Sequence, residues 1–282
     1  MRILTFDLEE WFHILAHNAT AFPHQWDNFE SRIQRNTDIL LEVLNSHNQH
    51  TTFFCLGWIA KKYPEIIRQI KSRGHEIACH GMNHQLVYQQ TPKEFKQDLQ
   101  DSLKLLEDVS GNKIETYRAA GFSITSQTKW AFEVLAECGI KIDCSIFPEA
   151  RNHGGYKDFP VSKPCIIQTN GVAIKEFPLN PFRFGAMKIV FSGGGYFRML
   201  PYSLVKTMMN KSDYVMTYFH LRDFDSEQPM IASLPAHRKF MSYIGLKNAL
   251  SKFERLLDGF SFNTVAEAQE KVDWNSVSKV QL

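Results

Sequence analysis

The run ILTFDLEEWF, residues 3–12, begins as an apolar segment and then carries three acids, Asp7, Glu9 and Glu10. Its apolar part together with the preceding Arg2, residues 2–6, is typical of a buried β-strand. Five more such runs follow along the chain, at residues 51–57, 75–80, 115–119, 140–147 and 214–220. Amphipathic stretches between them predict helices over residues 31–48, 59–73, 91–109 and 126–137. Because strands and helices alternate, the sequence predicts an α/β fold built on a parallel sheet, open or closed into a barrel.

Polar side chains follow the candidate strands at the points where those strands end. The positions are Asp7–Glu10, His80–His84, Arg118, Asp143 and His220. In parallel β/α barrels the loops after the strands converge at one end, and chemistry collects there. This distribution favours a barrel and predicts that the polar residues share one site.

Two histidines four residues apart, His80 and His84 in EIACHGMNHQLV, can face the same point from a helical turn or a tight loop. Two imidazoles and a carboxylate form a divalent-metal site of a hydrolytic kind. Glu9 lies on the same side of an extended strand as Asp7, which makes it the predicted carboxylate ligand. Glu10 is the alternative if the chain turns at this point. Taken alone, such histidines are more often surface or core residues, so the metal prediction depends on the acids.

A metal-assisted hydrolase also needs a base and an acid. Asp7, at the end of the first strand, is the candidate base, and Arg118 could hold its carboxylate by a charge-assisted hydrogen bond. His220 is the candidate general acid, with Asp143 as the carboxylate that orients its ring. A surface salt bridge for Arg118 and a buried structural histidine at position 220 are the ordinary alternatives.

In chain order these segments are TFDLEE, H-x-x-x-H, RAAGFS, DCSIFP and YFHLRDFD. Together they resemble the five motifs of the polysaccharide deacetylases, the NodB-homology or carbohydrate esterase family 4 group. The resemblance covers about residues 1–225 and is strongest to the bacterial subgroup found with surface-polysaccharide or lipopolysaccharide synthesis genes. It implies a distorted (β/α)7 barrel and hydrolysis of an N-acetyl group from a sugar, with Zn²⁺ as the metal and Co²⁺ or Ni²⁺ as alternatives.

The resemblance also assigns roles to individual residues. It implies that Asp7 is the base and that Arg118 positions it, and that Asp143 tunes His220, which protonates the leaving amine. The metal ligands that it implies are His80, His84 and Glu9. A backbone N–H near Gly121 is the implied oxyanion donor.

The chain departs from the family pattern at two places. Leu8 follows Asp7 where two adjacent aspartates are common, and some members place the metal carboxylate two residues after the base, which selects Glu9. Ala120 stands where the third motif usually carries proline. Neither change removes a functional group that the reaction needs.

Bulk composition narrows the classes of function. The formal net charge is +2, from 32 basic and 30 acidic residues, which provides no electrostatic case for binding nucleic acid. The five cysteines are an odd number without C-x-x-C spacing and favour a reducing compartment. No apolar run has the length of a transmembrane segment and no signal-like segment is found, so we expect a cytoplasmic protein.

The whole chain, residues 1–282, is predicted to be one domain with an insertion at about 150–200 and a C-terminal helical extension from about Ala236. The insertion carries a possible hairpin at Asn170-Gly171. It also carries SGGGYFR, residues 192–198, which we interpret as a flexible substrate loop, with a phosphate cradle as the weaker alternative. The C-terminal extension is expected to be scaffold.

The predicted function is removal of an N-acetyl group from a sugar, an oligosaccharide, or a lipid-linked or nucleotide-linked precursor in envelope polysaccharide biosynthesis. A related C–N hydrolase acting on a small or cyclic amide is one alternative, and a non-catalytic carbohydrate-binding relative is the other. The particular sugar and the oligomeric state stay open.

Overall fold

The computed structural model describes residues 1–15, 23–150, 153–185, 187–231 and 233–282. The strands within these ranges are β1 Arg2–Ile3, β2 Thr5–Leu8, β3 Thr52–Cys55, β4 Glu76–Cys79, β5 Thr116–Tyr117, β6 Ile142–Asp143, β7 Cys165–Thr169, β8 Val172–Glu176, β9 Phe182–Phe184, β10 Met187–Ile189, β11 Val215–Met216, β12 Phe219–His220 and β13 Ser278–Gln281.

The helices surround these strands. They are α1 Pro23–Trp26, α2 Ile33–Ser46, α3 Gly57–Lys62, α4 Pro64–Ser72, α5 Pro92–Ser110, α6 Trp130–Glu137, α7 Gly194–Met199, α8 Tyr202–Lys211, α9 Ala236–Tyr243, α10 Ala249–Gly259 and α11 Val265–Lys271. In the part of the chain that the structure describes, no helix is both long enough and apolar enough to cross a membrane.

The predicted helices are present, with one division that the sequence explains. The stretch 59–73 forms two helices, α3 and α4, because Pro64 lacks the N–H that would continue the first helix and instead occupies an early position of the second. Helix α5 begins with a capping box in which Thr91 and Glu94 each bind the backbone of the other, and it ends at Gly111, whose φ is +67°.

Seven parallel strand positions form the predicted (β/α)7 barrel, which is confirmed. β1 and β2 are two parts of one strand, and so are β11 and β12. Counting each of these pairs once, the order around the barrel is β11/β12, β1/β2, β3, β4, β5, β6 and β8. The barrel is distorted, because β8 pairs on its other side with antiparallel β7, and β13 extends the sheet beyond β7.

The seam between β8 and β11 is bridged by the side chain of Asn180. Its Nδ2 donates to the carbonyl of Tyr214 at 2.6 Å, and its Oδ1 accepts from the N–H of Met216 at 3.2 Å. The Tyr214 hydroxyl donates back to the carbonyl of Pro178 at 2.8 Å. Side-chain hydrogen bonds therefore replace the backbone ladder at this point of the barrel.

The predicted hairpin at Asn170-Gly171 is present and joins β7 to β8. Both turn residues have positive φ, +42° and +82°, as a two-residue turn of type I′ requires. Since β8 pairs with β6 inside the barrel, the segment 150–200 is more than an insertion over the mouth of the sheet. Arg151 and Asn152 of this segment lie outside the described residues.

Two apolar cores lie on opposite faces of the barrel wall. One fills the barrel interior and includes Ile3, Phe54 and Ala78. The other lies between the strands and the helices and includes Phe6 and Phe53. Successive strand residues point to opposite faces, so the interior receives alternate residues of each strand. Asp7, whose register partner is Phe54, follows the interior set.

We predict that Asn180→Ala destabilises the barrel because it leaves the Tyr214 carbonyl and the Met216 N–H buried without partners. The free energy of unfolding should fall by about 2 to 4 kcal/mol, measured by urea denaturation. Asn275→Ala, at an exposed position, is the matched control and should change little. Equal unfolding midpoints for the two variants would show that the seam does not depend on Asn180.

Candidate active site

Glu9, His80 and His84 converge at the carboxyl ends of β2 and β4. Glu9 Oε1 lies 2.9 Å from His80 Nε2 and 2.8 Å from His84 Nε2. All three side chains are buried, and one ligand atom from each lies within 4.8 Å of the others. Three electron-pair donors are thus directed at one small volume.

The orientation of His80 fits a metal ligand. Its Nδ1–H donates to the carbonyl of Arg118 at 2.7 Å, which leaves Nε2 facing Glu9. In a neutral ring Nε2 carries a lone pair, so either a proton or a cation must lie between it and the carboxylate oxygen. This is the arrangement in which an outer hydrogen bond sets the tautomer of a metal-binding histidine.

The charges around Glu9, His80 and His84 favour positive charge between these three side chains. Burial opposes the charged form of Glu9, but the charge of His84 and hydrogen bonds from both histidines outweigh it and hold the pKa of Glu9 well below its usual range. Burial lowers the pKa of His80, while Asp7 and Glu9 raise it, and the net shift is upward.

The backbone between the two histidines is a tight loop held by neighbouring elements. The N–H of Met82 donates to Asp98 Oδ2 at 2.8 Å, and its carbonyl accepts from Trp58 N–H at 3.0 Å. Burial raises the pKa of Asp98 to about 6. His84 has a φ of +54°, so the H-x-x-x-H spacing works across a turn and not along a helix.

Glu10, the alternative carboxylate, faces away from the histidines. Its carboxylate accepts hydrogen bonds from the Ser31 hydroxyl and from the N–H groups of Arg32 and Ile33, at the start of α2. A carboxylate at this place satisfies orphan donors of the helix and complements its dipole. Of the two acids, Glu9 alone faces the histidine pair.

Asp7 is held inside the barrel by Arg118. The guanidinium Nη1 donates to Asp7 Oδ1 at 2.7 Å and to Thr5 Oγ1 at 2.9 Å. Its Cζ lies 3.9 Å from the centre of the Phe54 ring, and the side chain has no exposure to solvent. Arg118 is therefore not the surface residue of the ordinary alternative, because its charge is matched within the barrel.

His220 lies beside Asp7 because β12 and β2 pair in that register. His220 Nε2 is 3.7 Å from Asp7 Oδ2, and Nδ1 donates to Asp223 Oδ2 at 3.4 Å. Burial lowers the pKa of His220, but the hydrogen bond to Asp223 and the charges of Glu9, Asp223 and Asp7 outweigh it and raise the pKa to about 9. The side chain is 28% exposed and borders the cleft.

Asp223, which sequence reasoning missed, is itself held by Arg198. Its Oδ1 lies 3.3 Å from Arg198 Nη1, and its Oδ2 accepts from the N–H of His220 at 2.9 Å. Burial raises the pKa of Asp223, but the charge of Arg198 and the contacts with His220 lower it to about 2. The spacing His-x-x-Asp within HLRDFD was the available signal for this residue.

The structure contradicts the expected pairing of Asp143 with His220. Asp143 is the register partner of Tyr117, whose ring packs on Phe95 of α5, so Asp143 points toward the helices and away from the interior. Its carboxylate accepts from the Ser145 hydroxyl at 2.6 Å, and Ser145 Oγ accepts from the N–H of Ala119 at 2.8 Å. Asp143 thus braces the backbone next to Arg118.

An open cleft of about 510 Å³ contains this site. Asp7, Glu9, His84, His220 and Gly121 line one part of it, which leaves the expected oxyanion region at the cleft. Helix α9 lines another part with His237, Arg238, Met241 and Ser242. The expectation that the C-terminal segment is scaffold alone is therefore wrong.

The glycine-rich run 192–198 is a packed element, not a flexible loop. It forms the start of α7, and Gly194, Gly195 and Tyr196 line the cleft. A Cβ on Gly193 would overlap the ring of Tyr218, and one on Gly195 would lie 2.9 Å from the carbonyl of Met241. The glycines allow Tyr218 and α9 to approach closely.

Comparison with known proteins covers almost the whole chain. Residues 18–142 match the family model for polysaccharide deacetylase. This segment is therefore similar to the polysaccharide deacetylases. Residues 144–270 match a second model, a domain of unknown function, DUF3473. The matched segments include His80, His84 and Arg118 in the first and His220 in the second, whereas Asp7 and Glu9 precede both.

Curated relatives match parts of this chain. A peptidoglycan-N-acetylglucosamine deacetylase of Bacillus cereus is 31% identical over 98 residues, which are 34% of this chain and 36% of that protein. A chitooligosaccharide deacetylase of Azorhizobium caulinodans is 33% identical over 99 residues, 35% of this chain and 45% of that protein. The chain thus spans less than half the length of these curated relatives.

Solved structures agree on the fold over much greater lengths. A candidate polysaccharide deacetylase from Mycobacterium smegmatis superposes with a TM-score of 0.68 at 20% identity, covering 100% of this chain and 92% of that one. A peptidoglycan N-acetylglucosamine deacetylase gives a TM-score of 0.50 at 16% identity, covering 94% of this chain and 86% of that one. The barrel is the fold of these deacetylases.

We predict that Asp223→Asn lowers the pKa of His220 from about 9 by about one unit or more, because it removes the carboxylate that stabilises the charged ring. NMR titration of the imidazole, assigned with His220→Gln, measures it. Stability from this charged histidine is complete below its usual pKa of 6.5 and is lost as the pH rises through about 9. The loss of stability in the variant should therefore be largest below that range and should shrink above it to the part that comes from the lost contact with Arg198.

Asp143→Asn is the matched control for this experiment and should leave the pKa of His220 unchanged. If Asp143→Asn moved the pKa of His220 and Asp223→Asn did not, the assignment of the orienting carboxylate would be reversed.

Proposed function

We propose that the protein is a metal-dependent hydrolase that removes the N-acetyl group of an N-acetylated sugar. One observation carries the proposal: the Glu9, His80 and His84 trio lies next to the Asp7 and His220 pair in one cleft. Three possible ligands beside a carboxylate and a charged histidine are the parts of a metal-assisted amide hydrolase.

Glu9, His80 and His84 would hold the metal. Two histidines and one glutamate form a ligand set used by catalytic zinc, and we propose Zn²⁺, with Co²⁺ and Ni²⁺ as alternatives that suit imidazole. A bound divalent cation supplies Lewis-acid polarisation of the acetyl carbonyl and makes water more acidic. The outer hydrogen bond from His80 to the Arg118 carbonyl keeps the ligand ring in place.

Asp7 acts as the general base in this proposal. One oxygen, Oδ1, accepts from Arg118, while Oδ2 is directed toward His220 and the cleft. Because the guanidinium is wholly buried, the position of the carboxylate is determined before substrate binds. Oδ2 takes the proton of the attacking water, and Arg118 acts as a positioning residue.

His220 acts as the general acid. A pKa of about 9 keeps the ring protonated at neutral pH, with Nδ1–H donated to Asp223 and Nε2–H available to the cleft. When the amide C–N bond breaks, Nε2 gives its proton to the leaving amine, and the products are acetate and a free amino sugar. Asp223 and Arg198 hold the ring in this orientation.

The relatives support an N-acetylated sugar as the substrate, since their names specify peptidoglycan N-acetylglucosamine and chitooligosaccharide. We extend the proposal to a cytoplasmic role in envelope polysaccharide biosynthesis. The resemblance of the five motifs to that bacterial subgroup supports this role.

We predict that Glu9→Gln, His80→Ala and His84→Ala each weaken metal binding by more than the ~10–100-fold cost of losing an outer hydrogen bond. Metal content after dialysis against Zn²⁺ buffer, measured by mass spectrometry of the element, tests this. Glu10→Gln is the matched control: it should retain the metal, although it loses stability through the start of α2. Metal loss in Glu10→Gln alone would contradict the assignment of Glu9.

We predict that the metal-loaded protein releases acetate from N-acetylated oligosaccharides and that Asp7→Asn slows turnover by ~10²–10⁴-fold without metal loss. Acetate is measured by a coupled assay, and cyclic and ureido amides are tested in parallel. Full turnover by Asp7→Asn would remove Asp7 as the base. Faster release from cyclic amides would indicate the related C–N hydrolase, and sugar binding without metal or turnover would indicate a lectin-like protein.

A further inference from the structure

Helix α7 presents one exposed aromatic ring to the catalytic cleft. Tyr196 lines the cleft and is 37% exposed, whereas Arg198, which also borders the cleft, and Phe197 are buried. Among the large apolar side chains that are exposed in the described ranges of the chain, Tyr196 is the one that lines this cleft. Aromatic rings in the wall of a cleft are a common means of binding a ligand.

The backbone that carries Tyr196 is anchored to the rest of the protein. The Lys252 ammonium donates to three carbonyls at the C-terminal end of α7, at distances from 2.7 to 3.0 Å, which satisfies acceptors that the helix itself leaves unpaired. The ring of Phe197, the next residue after Tyr196, packs on Phe219 with 5.0 Å between the ring centres. A side chain on an anchored backbone has little freedom to lose on binding, so less binding free energy is spent on ordering it.

The position of α7 places Tyr196 on the leaving-group side of the cleft. A Cβ added to Gly194, the first residue of α7, would lie 3.2 Å from the carboxylate oxygens of Asp223, and Arg198 Nη1 lies 3.3 Å from the same carboxylate. Asp223 accepts from His220, the proposed proton donor to the leaving amine. Because the nitrogen that receives this proton is bonded to the sugar, the sugar ring lies on the side of His220 and α7.

We propose that Tyr196 is a sugar-binding platform, whose ring stacks on the sugar that carries the acetylated nitrogen. This inference rests on the proposed deacetylation and makes Tyr196 a specificity-determining residue for the leaving group. A pyranose ring presents C–H groups on its faces, and the apolar face of a tyrosine ring matches them. Gly194 and Gly195 line the cleft beside Tyr196 and add no side chain that would compete for this space.

Two substrates that share the acetyl group and differ in the leaving group test the inference: N-acetylchitotetraose and para-nitrophenyl acetate, each with the Zn²⁺-loaded protein. Tyr196→Ser should lower kcat/KM for the oligosaccharide about tenfold or more, mainly through KM, because the buried ring surface is lost. The factor for the ester should be much smaller. Tyr196→Phe keeps the ring and should keep most of the oligosaccharide affinity. Tyr88→Ser, at a tyrosine 40% exposed outside the cleft, is the matched control and should resemble the parent protein.

The outcomes separate the platform from the deacetylation itself. Equal factors for the two substrates, or a Tyr196→Phe loss as large as that of Tyr196→Ser, would overturn the platform, and so would an equal loss in Tyr88→Ser. Calorimetric titration with N-acetylchitotetraose measures binding independently of turnover. Binding that depends on the Tyr196 ring, with no acetate released, would refute the deacetylation and leave the platform. Acetate release with binding that is the same in Tyr196→Ser would refute the platform alone. Thermal melting of each variant shows that it is folded.

Discussion

The guanidinium of Arg118 lies inside the barrel with no access to water, and other residues of the site form hydrogen bonds with Arg118. The Arg118 side chain donates to Asp7, and its carbonyl accepts from His80. The next N–H, of Ala119, donates to Ser145, which Asp143 holds. A buried cation is tolerated only with a close counter-charge, so the residue that neutralises Arg118 also has its own position determined. Base, ligand and strand end are thereby placed relative to one another by a single residue.

Much of the site follows from strand geometry that can be inferred from the sequence. Asp7 and Glu9 are two residues apart and so share a face, which is why alternation selects Glu9 over Glu10. The contact of Glu10 with the start of α2 is an independent reason for the same choice. Polar residues at the ends of parallel strands meet at one end of the barrel. Asp7 and His220 then become neighbours because β2 pairs with β12.

Other parts of the site depend on information that short patterns lack. The side of the sheet that Asp143 faces changes with a shift of one residue, and β6 is only two residues long, so periodicity could not assign it. The role of α9 depends on contacts between Arg198 and Met241, 43 residues apart. The glycines of 192–198 were interpreted by their flexibility, whereas their small size is what Tyr218 requires.

The N-terminal strand takes part both in the barrel and in the candidate active site. Family matching begins at residue 18, yet the base and the carboxylate ligand lie before it, on a strand inserted between β3 and β12. That strand joins the sheet of one matched segment to the sheet of the other, and it brings both acids to histidines that the two segments supply. A cation bound by Glu9, His80 and His84 would link β2 to the loop after β4, and a ligand that binds only the folded state stabilises that state. Metal binding and closure of the barrel should therefore reinforce each other, because both require the first strand in its register.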